Sequence, residues 1–320
     1  MPVSISLVIP AYNRAALIAQ TLDAALAQTV PFAEIIVVDD GSTDNTLEVL
    51  APYADRIRLI RSANGGVQSA RNKGVHAAAT DYVTLCDSDD ILEPFFVETM
   101  GGWLASGPGA DADAVYTNIR KFRGDSFESD HLSQAPAGFL AGAKSAGGFF
   151  YDIPDLYLRL FTLHYFFPTG CTLKKAFYEA IGGFDSRFNR VGAEDGEFTL
   201  RAAAAGKIAV CGTPLARIRR HDGNDSADAL YMIVGSAQIL EYASVHHRNV
   251  QAYVPALKDM VDTLRLSAAD DAFAQGRFDI ARQMFRHRPG RPVGLKFKLK
   301  KIITDLPGPL RTLAWKATQA

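Results

Sequence analysis

Four polar clusters in this sequence combine residue types that could do chemistry: Pro10-Ala11-Tyr12-Asn13, Asp39-Asp40-Gly41-Ser42, Asp87-Ser88-Asp89-Asp90 and Glu194-Asp195. One Asp-Gly pair alone would mark only a turn. Repeated aspartates need a counter-charge, the more so because residues 1–279 already carry a net charge of −10. A divalent cation is the natural one, since carboxylates suit Mg2+ and Mn2+. Mg2+ is commonly held by one or two carboxylates together with phosphates of a ligand. The sparse Asp87/Asp89 pair suits that arrangement better than a full protein cage.

The first three clusters each follow an apolar run. Ile5-Ser6-Leu7-Val8-Ile9 stops at Pro10, residues 34–38 stop at Asp39, and residues 82–86 stop at Asp87. Between these runs the spacing predicts helices over 15–28, with Leu17, Ile18, Leu22, Ala25 and Leu26 on one stripe, over 43–50, and over 68–79 behind Gly65-Gly66. A third strand is expected over 57–60, a helix from Pro94, and a fifth strand over 114–118. Such alternation predicts an α/β fold with a mostly parallel central sheet and helices on both faces. In open sheets of this kind ligands bind at the carboxyl ends of the strands, where the three clusters would converge.

Composition excludes several classes. With 320 residues, 48% hydrophobic and 22% charged, the chain is neither largely disordered nor collagen-like. Cys86, Cys171 and Cys211 are widely spaced with no Cys-x-x-Cys, against both a disulfide framework and structural zinc. The N-terminus has no basic segment before its apolar run and reads as a strand, not a signal peptide. No stretch is long and apolar enough to span a bilayer. A reducing cytoplasmic setting is expected. The acidic body argues against nucleic acid as a partner.

Five segments in order resemble the family 2 glycosyltransferases: Val8-Ile9-Pro10-Ala11-Tyr12-Asn13, Val37-Val38-Asp39-Asp40-Gly41-Ser42-Thr43-Asp44, Gly66-Val67-Gln68-Ser69-Ala70-Arg71-Asn72, Asp87-Ser88-Asp89-Asp90, and Gly182-Gly183-Phe184-Asp185 with Glu194-Asp195. The resemblance covers residues 3–222. It implies a GT-A nucleotide-sugar-binding fold, a nucleotide-diphosphate-sugar donor (a UDP-sugar above all), Mn2+ or Mg2+, and inversion at the anomeric carbon. The acceptor would be a hydroxyl of a glycan or lipid-linked sugar, in cell-surface polysaccharide synthesis.

By the same resemblance, Tyr12 would stack on the base beside Pro10, against the plain alternative of a half-buried aromatic at a strand end. Asp40 would accept the imide N–H of uracil. Its neighbour Asp39 belongs to the same donor site, or caps the following helix instead. Arg71 would hold the diphosphate or base region, where its plain alternative is a surface ion pair. Asp89 would ligate the metal, Asp87 would hold the ribose or complete the metal's shell, and Asp90 is a candidate cap for the helix near Pro94. Asp195 would be the catalytic base that takes the acceptor's proton, with Glu194 orienting the acceptor or substituting for it. Both also fit the first turn of a helix, where the dipole favours carboxylates. Arg220 would meet the diphosphate, and His221 the metal or the diphosphate, against the plain alternative of a structural or surface histidine. Thr169-Gly170-Cys171 would floor the sugar pocket, with Cys171 a packed residue and not a nucleophile.

Three divisions are expected: a transferase domain over 1–225, a helical extension over 226–288 and a basic tail over 289–320. Residues 120–168 hold a dense aromatic set from Phe139 to Phe167, read as a core helix with flanking loops or as an acceptor- or membrane-facing segment. Residues 268–281 predict a helical hairpin turning at Gly276. The segment 280–320 has ten Lys/Arg and one acid, with Val293, Leu295, Phe297, Leu299, Ile302 and Ile303 interleaved among lysines. That alternation fits a strand; wound as a helix, charge would surround it. Such a tail suits an anionic membrane surface, the inner face of the cytoplasmic membrane, or else a solvated terminus. Two rivals to the transferase are a nucleotide-sugar-binding module without turnover and a sugar-phosphate nucleotidylyltransferase, whose glycine-rich activating loop Pro10-Ala11-Tyr12-Asn13-Arg14 lacks.

Overall fold

The computed structural model describes residues 3–161, 166–221, 228–287, 289, 290 and 292–319. The chain divides into two compact units, residues 1–189 with 198–224, and residues 190–197 with 225–320. The segment carrying Glu194 and Asp195 thus groups with the C-terminal helices, and so does the basic tail.

In the first unit, strands β1 (Ile5–Ala11), β2 (Glu34–Asp39), β3 (Arg58–Arg61) and β4 (Tyr82–Leu85) alternate with helices α1 (Ile18–Leu26), α2 (Thr46–Leu50) and α3 (Val67–Ala77). There follow β5 (Ile91–Leu92), α4 (Phe96–Leu104), α5 (Gly107–Asp111), β6 (Ala114–Arg123), β7 (Ser126–Phe127), β8 (Lys144–Ala146), β9 (Phe149–Tyr151) and α6 (Leu156–Arg159). Then come β10 (Cys171–Lys174), α7 (Lys175–Ala180), α8 (Glu194–Ala205), whose first turn belongs to the second unit, and β11 (Ile208–Arg219). The described strands form one sheet in the order β3-β2-β1-β4-β10-β6-β11-β9-β8, with β5 on β11 and β7 on β6.

The half holding the three clusters is parallel: β3, β2, β1 and β4 all run one way. β1 is buried along its whole length, which is why it reads as an apolar run and not as an alternation. Its register sets Ala11 opposite Asp39 and Val8 opposite Leu85, so the three strands finish at one edge of the sheet. β10 then inserts antiparallel between β4 and β6, and β6 pairs parallel with β11. Ile18, Leu22, Phe96, Met100 and Trp103 from helices α1 and α4 pack on this sheet with Ile5, Leu7, Ile9 and Val115.

The core helix expected within residues 120–168 is absent among the described residues, where α6 is a single turn. The aromatic side chains instead pack from strands and loops. Phe149 of β9 stacks on Trp103 at 4.5 Å, and Phe166 stacks on Tyr116 at 3.9 Å. Glycine-rich turns cut this segment into pieces too short for a helix. Tyr165 lies outside the described residues.

The second unit holds α9 (Ala229–His246), α10 (Val254–Ala274), α11 (Phe278–Phe285), α12 (Leu295–Asp305) and α13 (Gly308–Gln319). Leu230, Ala268, Ala269, Ala272, Phe273, Met284 and Phe285 form its core. The expected hairpin at Gly276 joins α10 to α11. The tail is helical, not a strand: Phe297 packs on Phe285 at 4.8 Å, and Lys300 turns inward to Asp270 at 3.0 Å. No described helix is long and apolar enough to cross a membrane.

Candidate active site

Beyond β1 the chain turns through Asn13, whose φ of 52° lies in the left-handed region. Asparagine is one of the few non-glycine residues that tolerate this conformation. Its side-chain oxygen accepts the N–H of Thr43 (2.8 Å) and of Asp44 (3.3 Å), while its own N–H donates to the Ser42 hydroxyl (3.0 Å). The loops after β1 and β2 are thereby fastened together. Tyr12, between Pro10 and Asn13, is 42% exposed, leaving its ring accessible to a planar ligand.

Asp39 and Asp40 are both buried. Asp39 accepts the N–H of Ser42 at 3.1 Å and stands 3.9 Å from the Arg61 guanidinium. It closes its own turn and does not cap α2, whose first residue lies beyond that turn. Asp40 accepts the N–H groups of Gly65 (3.0 Å) and Gly66 (2.7 Å), with Lys73 at 3.9 Å. It therefore sits where α3 begins, where the helix dipole favours an anion. Gly66 has φ 86°, and a Cβ there would come within 2.7 Å of the Asn189 carboxamide. Asn189 in turn donates to the Gly65 carbonyl (2.9 Å) and accepts from Gln68 N–H (3.2 Å).

Beyond β4, Asp87 and Asp89 have different partners. The buried Arg71 guanidinium on α3 donates to Asp87 Oδ1 at 2.6 Å. Its carbon lies 5.1 Å from the centre of the Phe184 ring, and Phe184 is held by Asn72, which donates to its carbonyl (2.8 Å) and accepts its N–H (2.9 Å). The late Gly182-Gly183-Phe184 segment is therefore part of the Arg71 support. Asp89 Oδ2 lies 2.9 Å from His221 Nε2 and 3.9 Å from Arg14 Nε. Arg219 Nε donates to the Asp89 carbonyl at 2.8 Å.

Asp90 does not cap the helix after Pro94. Its carboxyl is buried and accepts the Thr169 hydroxyl (2.6 Å) and the Arg219 N–H (2.8 Å). Burial, together with the nearby Asp89 and Asp87, pushes its pKa well above the usual carboxylate range. The same Thr169 hydroxyl accepts Asp87 N–H at 3.0 Å, so it links both ends of the Asp87–Asp90 turn. Burial raises the Cys171 thiol pKa to about 12, so it is inert as a nucleophile at neutral pH.

Asp89 and His221 form a carboxylate–imidazole pair, while Asp87 is engaged by Arg71. Asp89 Oδ1 has no hydrogen bond among the described residues, and carboxylate oxygens suit Mg2+ and Mn2+. Among those residues no group of three or more His, Cys, Asp and Glu is placed to hold a metal ion. A cation held by so few protein groups would need oxygens of a ligand to complete its shell. Arg220 is half-buried, with its N–H on the Phe122 carbonyl at 2.8 Å. Asp222, next to His221 in sequence, lies outside the described residues. Glu194 and Asp195 lie in the first turn of α8 with Glu197, half-buried. Within the second unit Glu197 is buried against His247 at 3.2 Å.

Several of these groups have no role of their own in the sequence: Asn13, Asn72, Asn189 and Arg219. Their partners lie in other loops; Asn13, Asn72 and Arg219 stand inside recognisable motifs, and Asn189 does not.

Comparison with known proteins extends these observations. A 97-residue segment is 47% identical to a chondroitin synthase of Pasteurella multocida (strain Pm70), covering 29% of this chain and 10% of that one. Glycosyltransferase GlyG of Streptococcus pneumoniae is 37% identical over 122 residues, covering 37% of this chain and 40% of the relative. The matched segments thus span less than half the length of these relatives. A crystal structure of S. aureus TarS 1-349 in complex with UDP-GlcNAc superposes with a TM-score of 0.59 at 18% identity, over 99% of this chain and 87% of that one. The fold is GT-A. The profile of glycosyl transferase family 2 matches residues 6–182, more than half of the chain, and the chain belongs to that family.

Proposed function

We propose that this protein is a metal-dependent, inverting glycosyltransferase that moves a sugar from a UDP-sugar to a hydroxyl of a glycan or lipid-linked acceptor in surface-polysaccharide synthesis. The observation that carries the reading is the placement of Tyr12, Asp40, Asp87 and Asp89 directly beyond the carboxyl ends of three adjacent parallel strands. The chondroitin synthase relative and the UDP-GlcNAc bound to TarS support a UDP-sugar and a polysaccharide setting.

In this reading Tyr12 stacks on uracil, with Pro10 shaping the turn. Asp40 would accept the imide N–H in place of its longest bond, the one from the Ser62 hydroxyl at 3.3 Å; Asp39 holds the turn beside it. Arg71 orients Asp87 toward the ribose or the metal shell, and Arg220 faces the diphosphate. Asp89, Asp87 and His221 would hold Mn2+ or Mg2+, which supplies charge stabilisation to the departing diphosphate. Asp195 removes the acceptor hydroxyl's proton as that oxygen forms its bond to the anomeric carbon and the bond to the diphosphate breaks. Glu194 orients the acceptor.

The test is a screen of UDP- and GDP-sugars by thermal shift with Mn2+, followed by assay of nucleotide release. Binding followed by UDP release supports transfer. Binding without release would point to a sugar-nucleotide-binding module instead.

A further inference from the structure

We infer that α12 and α13 form a docking surface for an anionic phospholipid bilayer. On α12, Leu295, Leu299 and Ile302 are 83%, 53% and 61% exposed, whereas Ile303 is 5% exposed. Their spacing of four and then three residues puts them on one face of the helix. The opposite side is anchored to the unit through Phe297 on Phe285 and Lys300 on Asp270. On α13, Leu310 and Leu313 are 56% and 70% exposed, one turn apart. Trp315 anchors that helix by donating its indole N–H to the Phe273 carbonyl at 2.7 Å.

Each helix is thus held to its unit by one face and leaves an apolar stripe in water. The charge around the stripes selects the occupant. Lys296, Lys298, Lys301 and Lys316 are exposed and have no ion pair among the described residues, and the last 41 residues hold one acid. A basic helix with a narrow apolar stripe lies in the plane of an anionic interface, its leucines shallowly inserted. A second copy of this chain fits less well, because a two-fold interface through α12 would bring like-charged lysines together without a counter-charge.

The test uses the full chain and vesicles of phosphatidylcholine with or without phosphatidylglycerol, scored by flotation. The surface predicts binding only to the phosphatidylglycerol vesicles, weakened by salt. Replacing Lys296, Lys298 and Lys301 by glutamine should weaken partitioning about fivefold per lysine. The variant Leu295→Ser/Leu299→Ser/Ile302→Ser, with an unchanged melting temperature, should lose the salt-resistant part of the binding. Equal failure to bind either vesicle would overturn the inference. So would light scattering that shows a dimer which the serine variant dissociates while vesicle binding persists.

Discussion

Arg71 Nη2 lies 2.6 Å from Asp87 Oδ1, and the guanidinium is 5% exposed while the carboxylate keeps about a third of its surface in water. This pair joins α3 to the turn after β4. One end is fixed by burial and by the Phe184 ring, and the other is open to a ligand. Arg71→Ala would leave Asp87 without its donor, and the partly screened pair should cost about 1–3 kcal/mol in urea unfolding. Arg71→Lys keeps the charge but cannot serve both Gln68 and Asp87. Its loss in UDP binding should exceed its loss in stability.

Asn13 separates conformation from hydrogen bonding. Asn13→Gly keeps the left-handed backbone and loses the bonds to Thr43 and Asp44. Asn13→Ala loses both, and should be less stable than the glycine variant by about 1–2 kcal/mol. Denaturant midpoints of the two variants read the difference.

Asp90 gives a pH dependence with a definite sign. Its folded pKa is raised, so the folded state holds this proton more tightly than the unfolded chain does. Its contribution is full below the unfolded value of about 4 and is lost as pH rises through the folded value. Asp90→Asn cannot ionise, and its stability relative to wild type should therefore improve as pH rises across that window. Unfolding curves of both proteins from acid to neutral pH measure it; a constant difference would show that Asp90 is not held protonated.

Gly235 of α9 packs against the backbone before Glu194. A Cβ at this position would fall 2.1 Å from the Gly192 carbonyl oxygen and 2.4 Å from that of Val191. Gly235→Ala must shift this segment, and with it the start of α8. If Asp195 is the base, transfer should fall on the order of 10²-fold while UDP binding is kept. Paired turnover and binding assays on the variant distinguish the two effects.

The strands carrying the clusters are legible because each is a buried apolar run that stops at a polar residue, and the hairpin at Gly276 is legible from its spacing. The insertion of β10 between β4 and β6 is not, since that pairing depends on partners far away in sequence. For the same reason the roles of Asp39 and Asp90 differ from the helix caps that their local sequence suggests: Asp39 closes its own turn, and Asp90 meets Thr169 and Arg219. The tail's alternating pattern suggests a strand because the inward contacts of Phe297 and Lys300 are supplied by helices elsewhere in its unit.

Calorimetric titration of UDP into the protein, with and without Mn2+, tests the carboxylate site most directly when wild type is set beside Asp89→Ala and Asp195→Ala. Wild type and Asp195→Ala should bind UDP in a Mn2+-dependent way, and Asp89→Ala should lose that binding. UDP binding that is indifferent to Mn2+, or unchanged in Asp89→Ala, would contradict a metal site at Asp89.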